Sequence, residues 1–107
     1  MDERMVERIR GMLADRDDVE EKRMFGGLTF TVGGNMCCGV AKTDVMFRVG
    51  QDVADAALTE HGVRPMDITG RPMKGMVFVS PQAIGDERSL RRWVDRALDF
   101  VATLPPR

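Results

Sequence analysis

The stretch that decides the fold runs from Met24 to Val40 and reads MFGGLTFTVGGNMCCGV. Apolar residues alternate with threonines over Leu28–Val32, and a similar alternation returns over Met36–Val40. A period of two is typical of half-buried strands. Glycine readily takes the positive φ angles that a two-residue hairpin turn requires. The sequence therefore predicts a β-hairpin that turns at Gly33-Gly34 or at Gly34-Asn35.

Patterns on either side of this hairpin predict the other elements. The first half is predicted to contain a helix around Met5–Leu13 with Asp2 as its N-cap, a solvated helix end and connector over Asp15–Lys22, and strands over Leu28–Val32, Met36–Val40 and Val45–Val49. The second half is predicted to contain a helix over Asp52–His61 closed by Gly62, a short edge strand plus loop over Val63–Gly75, a strand over Met76–Val79 and a closing helix around Leu90–Val101. The order α-β-β-β-α-β-β-α predicts an α+β fold, a mainly antiparallel sheet packed by helices.

Size and composition indicate one compact globular domain over residues 1–107. Hydrophobic residues make up 43% of the chain and charged residues 31%, which argues against disorder. No apolar run approaches the roughly 20 residues of a membrane helix, and the N-terminus lacks the apolar segment of a secretory signal. We therefore expect a cytoplasmic protein with no membrane partner.

Three blocks of the sequence resemble the N-terminal domain of TfoX-type proteins. They are Met24–Gly27 after the first helix, the turn Gly33–Met36, and the strand approach Gly70–Gly75. The resemblance covers nearly the whole chain and implies a bacterial α+β domain with a regulatory connection, since full-length TfoX proteins promote competence for DNA uptake by acting on transcription. Full-length TfoX also carries a helical C-terminal domain, and we expect none here. The family carries no established catalytic residues.

The cysteines and the histidine are candidates for chemistry. Cys37 and Cys38 are adjacent, too close for an unstrained disulfide, and a strand would point them to opposite faces. We expect Cys38 in the core and Cys37 as a strand-face thiol, with redox sensitivity of Cys37 as the alternative. His61 is the only histidine, so neither zinc nor another cofactor is expected. It is expected to interact with the negative end of the second helix.

Arg64, Arg71 and Lys74 are the most informative charged residues. The triplet Arg-Pro-Met begins at both arginines, in a segment rich in glycine and proline. Exposed amides and guanidinium groups there could bind a phosphate or a carboxylate. The alternative is that these are solvated charges that pair with Asp67 or Asp86.

A stripe of arginines on the closing helix, Arg88, Arg92 and Arg96, could in principle contact DNA. Pairing with nearby Asp95 and Asp99 is the simpler expectation. The chain has 16 basic and 17 acidic residues and a net charge of −1, so it lacks the overall field that favours nucleic acid. Direct nucleic-acid binding is not expected.

No nucleophile, base and orienting group occur together in the sequence, so we do not expect an enzyme. The favoured hypothesis is a noncatalytic interaction or regulatory module that binds a protein partner or a second copy of itself through a sheet edge, a methionine-rich patch or an exposed helix face. The alternative is a domain that binds a small anion through Arg64, Arg71 and Lys74.

Overall fold

A computed structural model describes residues 1–24, 26–68 and 70–107. These residues form three α-helices, one short 3-10 helix and six strands. In chain order the elements are α1 (Glu3–Met12), β1 (Val19–Met24), β2 (Gly27–Val32), β3 (Asn35–Val40), β4 (Val45–Arg48), α2 (Gln51–Ala57), β5 (Val63–Ile68), β6 (Arg71–Val79), the 3-10 helix Pro81–Ile84 and α3 (Glu87–Val101). The strands make one antiparallel sheet in the order β1-β2-β3-β4-β6-β5. The predicted α+β class is confirmed.

The predicted hairpin is present as β2 and β3. Its turn is Gly33-Gly34, the first of the two predicted alternatives, with φ angles of 59° and 83°. The pairing of the strands is interrupted by a bulge: Phe30 lies opposite Cys38, whereas Thr31 lies opposite Met36. The predicted N-cap of α1 is also present, because the side chain of Asp2 accepts from the amide of Met5 at 3.1 Å.

The connector predicted over Asp15–Lys22 is wrong from Val19 onward. There the chain forms β1, which pairs with β2 along its full length. All residues of β1 after Val19 are exposed, so the strand lacks the alternating apolar pattern that would reveal it. A bidentate ion pair from Arg10 to Glu21, with both contacts at 2.7 Å, ties β1 to α1.

Two further predicted boundaries differ from the structure. α2 ends at Ala57, so the predicted helix end at His61 and cap at Gly62 are wrong. The amides of Leu58 and Glu60 donate to carbonyls three residues earlier, a 3-10-type pattern that ends the α-helix. The loop predicted before Met76 is also wrong, because β6 already begins at Arg71.

The helices and the sheet enclose the main hydrophobic core. α1 and α3 contribute Ile9 and Trp93, and the Trp93 ring lies 5.5 Å from that of Phe47 in β4. A second, separate cluster contains Met46, Met66 and Met76, with Met36, Met73 and Phe78 packed against it. Because strand residues alternate, Met46 lies on the sheet face opposite its core neighbours Val45 and Phe47.

No helix of the described chain is long and apolar enough to cross a membrane.

Candidate functional site

A concave site of about 130 Å³ lies between α2 and the β5–β6 hairpin. Apolar residues from the end of α2 and from the two strands line this cavity. We call them the methionine groove: Leu58, just after α2, and Pro65, Met66, Pro72, Met73 and Met76. Met66 and Met76 are buried, Met73 is half-buried and Leu58 is 40% exposed. The groove therefore has a buried floor and an exposed rim.

The groove exists because β5 and β6 break their regular pairing. Pro65 lies opposite Val77, but Asp67 lies opposite Pro72, so four residues of β6 face the single residue Met66. Gly75 takes a φ of 80° inside this irregular stretch, and its carbonyl accepts from the amides of Val49 and Gly50 at 2.9 and 3.1 Å. Residues three apart on a regular strand would point to opposite faces. The bulge instead brings Met73 and Met76 to one cavity.

The polar lining of the groove is small and electrically balanced. Gln51 and Asp55 come from α2, and Lys74 comes from β6. One carboxylate and one ammonium leave no net charge at the mouth. Across the described residues no group of three or more His, Cys, Asp and Glu side chains is placed to hold a metal ion. The lining has a thioether and hydrocarbon character, which suits soft or apolar ligands.

The three basic residues predicted to form an anion site have different surroundings. Arg64 pairs with Asp44, which is only 15% exposed, and lies over the Phe78 ring at 4.8 Å. Its partner is therefore neither Asp67 nor Asp86. Arg71 is exposed at the hairpin end of β6, and Lys74 lines the methionine groove. Arg64 and Arg71 do not line that groove, so the structure does not gather the three cations around it.

Cys37 and Cys38 are both fully buried and belong to the same core cluster. The predicted division of the two thiols between opposite sheet faces is wrong, because the bulge in the β2–β3 pairing falls at Cys37. The pKa of Cys37 is lowered, mainly by a hydrogen bond with the Cys38 thiol and less by the charges of Arg16 and Arg48. Burial acts in the opposite direction. The pKa of Cys38 is raised by Cys37 and by burial. Redox sensitivity of Cys37 stays a prediction.

Residues 11–101 match the family described as the TfoX N-terminal domain, which is most of the chain. The chain belongs to the TfoX N-terminal domain family. No curated protein matches it.

One glycine of the block that first suggested the TfoX N-terminal domain has a packing role. A Cβ atom added to Gly27 would lie 1.8 Å from the carbonyl oxygen of Val40 and 2.9 Å from the Cα of Ala41. Gly26 has a φ of 73° and open space around it. The neighbouring Phe25 lies outside the described residues. Gly27 therefore lets the start of β2 approach β3 closely.

Two arginines of the predicted stripe on α3 of this TfoX-type domain share one carboxylate. Arg92 and Arg96 both donate to Glu60, which lies just after α2, at 3.0 Å. The predicted partners Asp95 and Asp99 are not the ones used. Arg96 also stacks on Trp93 at 4.5 Å. This cluster joins α3 to the segment after α2, where the exposed His61 lies beyond the end of the helix.

The edges of the TfoX-type sheet are poorly suited to pairing with another strand. β1 presents the exposed charged run Glu20–Arg23, and β5 contains Pro65, which has no amide proton to donate. Charged side chains and proline are common protections of edge strands. The methionine groove is therefore better suited to a contact than either sheet edge.

The groove was not located from the sequence, although a methionine-rich patch was among the expected contact surfaces. The repeated Arg-Pro-Met triplet drew attention to its arginines, whereas the structure uses its other members. Pro65, Met66, Pro72 and Met73 all line the groove. The chain's nine methionines were a second signal, but sequence spacing did not show which of them converge.

Proposed function

We propose that this TfoX-type domain is a noncatalytic interaction or regulatory module whose contact surface is the methionine groove. The partner is a protein that inserts an exposed apolar side chain into the groove. The observation that carries the proposal is an apolar cavity with buried thioethers at its floor and the exposed Leu58 at its rim.

The chemistry of the lining supports this choice of ligand. Methionine is flexible and polarizable, and it recurs at surfaces that adapt to varied apolar partners. A cavity of about 130 Å³ is the size of one side chain rather than of a large cofactor. Binding energy in interfaces concentrates where such an anchor enters a desolvated pocket. The balanced charges of Asp55 and Lys74 give a polar rim without a bias toward acidic or basic partners.

The proposal is tested by affinity capture from the native cell with three baits: wild type, Leu58→Lys and Val53→Lys. Leu58 and Val53 are both on or next to α2 and both 40% exposed, but only Leu58 lines the groove. We expect the wild-type and Val53→Lys baits to capture the same protein, which could be a second copy of this chain. The Leu58→Lys bait should not capture it. A partner retained equally by all three baits would contradict the proposal.

Anion binding through Arg64, Arg71 and Lys74 stays the alternative proposal. Its support is the exposure of Arg71 and Lys74, while the pairing of Arg64 with Asp44 weakens it. Calorimetric titration with inorganic phosphate distinguishes it from the interaction role. Heat that Arg71→Ala reduces and Leu58→Lys leaves unchanged would favour the anion site.

A further inference from the structure

We propose that the floor of the methionine groove binds a monovalent soft metal ion, copper(I) or its analogue silver(I), through the thioethers of Met66, Met73 and Met76. This inference goes beyond the interaction role and does not rest on it. The metal and a partner's side chain would occupy the same cavity and exclude one another, but each could bind without the other.

The first argument is that three methionine residues share one cavity. Met66, Met73 and Met76 all line the same cavity, and all three belong to the second hydrophobic cluster. Thioether sulfur is a soft donor and selects copper(I) over hard cations such as Mg²⁺ or Ca²⁺. Neutral ligands also suit a monovalent ion, because no carboxylate cage is needed to offset its charge.

The second argument is the irregular backbone that creates the convergence. A regular β6 would point Met73 and Met76 to opposite faces. The break in the β5–β6 register and the positive φ of Gly75 bring both to one side, opposite Met66. Bulges that re-aim side chains are common next to functional sites.

The third argument is the graded access to the three sulfurs. Met66 is fully buried and Met76 is 5% exposed, whereas Met73 is half-buried at the side of the cavity. Two ligands are therefore held by packing, and the third can move to admit an ion. The cavity volume of about 130 Å³ is large enough for one ion.

The test is a titration of the full chain, labelled with ¹³C at its methionine methyl groups, with silver nitrate. Silver(I) replaces copper(I) because it does not undergo oxidation in air. We expect the first equivalent to shift the methyl signals of Met66, Met73 and Met76 and to leave the other methionine signals in place. Binding should persist at pH 5, because a thioether loses no proton on binding whereas thiols do.

Two substitutions make the result specific. Met73→Leu should weaken silver binding by about tenfold or more, since even outer-shell partners of a metal site are commonly worth that much. Met24→Leu, on β1 and away from the groove, should bind as the wild type does. The unshifted methyl signals report whether each variant is folded. No shift at the first equivalent, consumption of that equivalent by Cys37 and Cys38, or unchanged affinity in Met73→Leu would overturn the proposal.

Discussion

Gly27→Ala tests whether the glycine block is a packing device. The added methyl carbon would lie 1.8 Å from the carbonyl oxygen of Val40. Carbon and oxygen atoms in contact normally stay about 3.3 Å apart. The start of β2 would therefore have to move by about 1.5 Å from β3. Backbone atoms, rather than the end of a flexible side chain, form the obstacle.

We expect Gly27→Ala to lower the free energy of unfolding by about 3 kcal/mol, the upper end of the usual cost of overpacking. Urea denaturation at 25 °C measures the change, and an unchanged m-value would show that the transition remains comparable. A loss of this size is a large part of the stability of an ordinary domain.

Two matched glycines separate packing from backbone conformation. Gly11→Ala, in α1 with nothing within 4 Å, should stabilise the protein by up to about 1 kcal/mol. Gly26→Ala meets no atom but has a φ of 73°, and should cost about 1 kcal/mol. If Gly27→Ala is within about 0.5 kcal/mol of wild type, the packing explanation is refuted.

Three other changes test separate parts of the structure. Burial alone would raise the pKa of Glu60, but hydrogen bonds from Arg92 and Arg96 lower this pKa overall. The ionised Glu60 therefore stabilises the fold above its unfolded pKa of 4.5, and this stabilisation is lost as the pH falls through the lower folded pKa. Glu60→Gln should therefore cost up to about 1 kcal/mol at pH 7 and less at pH 3 in urea denaturation; an equal loss at both pH values would refute this linkage. Asn35→Ala removes a 2.9 Å bond to the carbonyl of Pro105 and should cost about 1–2 kcal/mol, with faster amide exchange at Arg107, whose amide bonds to the same hairpin. Unchanged exchange would contradict it. The buried hydroxyl of Thr29 has no hydrogen-bond partner among the described residues, so Thr29→Val should stabilise by about 1 kcal/mol by thermal denaturation, and a lower Tm would be the opposite result.

Features set by neighbouring residues were predictable from the sequence. The Gly33-Gly34 turn and the Asp2 N-cap each depend on residues a few positions apart, and both are present. The family resemblance rested on equally local blocks and is confirmed.

Features set by distant pairing were not predictable. β1 is identified by its pairing with β2, since its own residues after Val19 carry no apolar alternation. The burial of Cys37 depends on a one-residue bulge against β2. A single extra residue reverses the direction of a side chain, so an alternating pattern predicts the wrong face after a bulge.

The candidate site was predicted only as a region. The repeated triplet directed attention to residues 64–74, but the prediction relied on the charged members of the triplet and not on the apolar members that line the groove. The shift of three residues in the β5–β6 register decides that Met66, Met73 and Met76 converge. Nothing in the local sequence states the size of that shift.

Photo-cross-linking in the cell tests the central claim most directly. A photoreactive phenylalanine analogue is introduced at position 58, at the rim of the groove, or at the equally exposed position 53 as the control. The account predicts a discrete adduct with a protein, or with a second copy of the chain, from position 58 and none from position 53. Equal adducts from both positions, or no adduct from position 58, would contradict it.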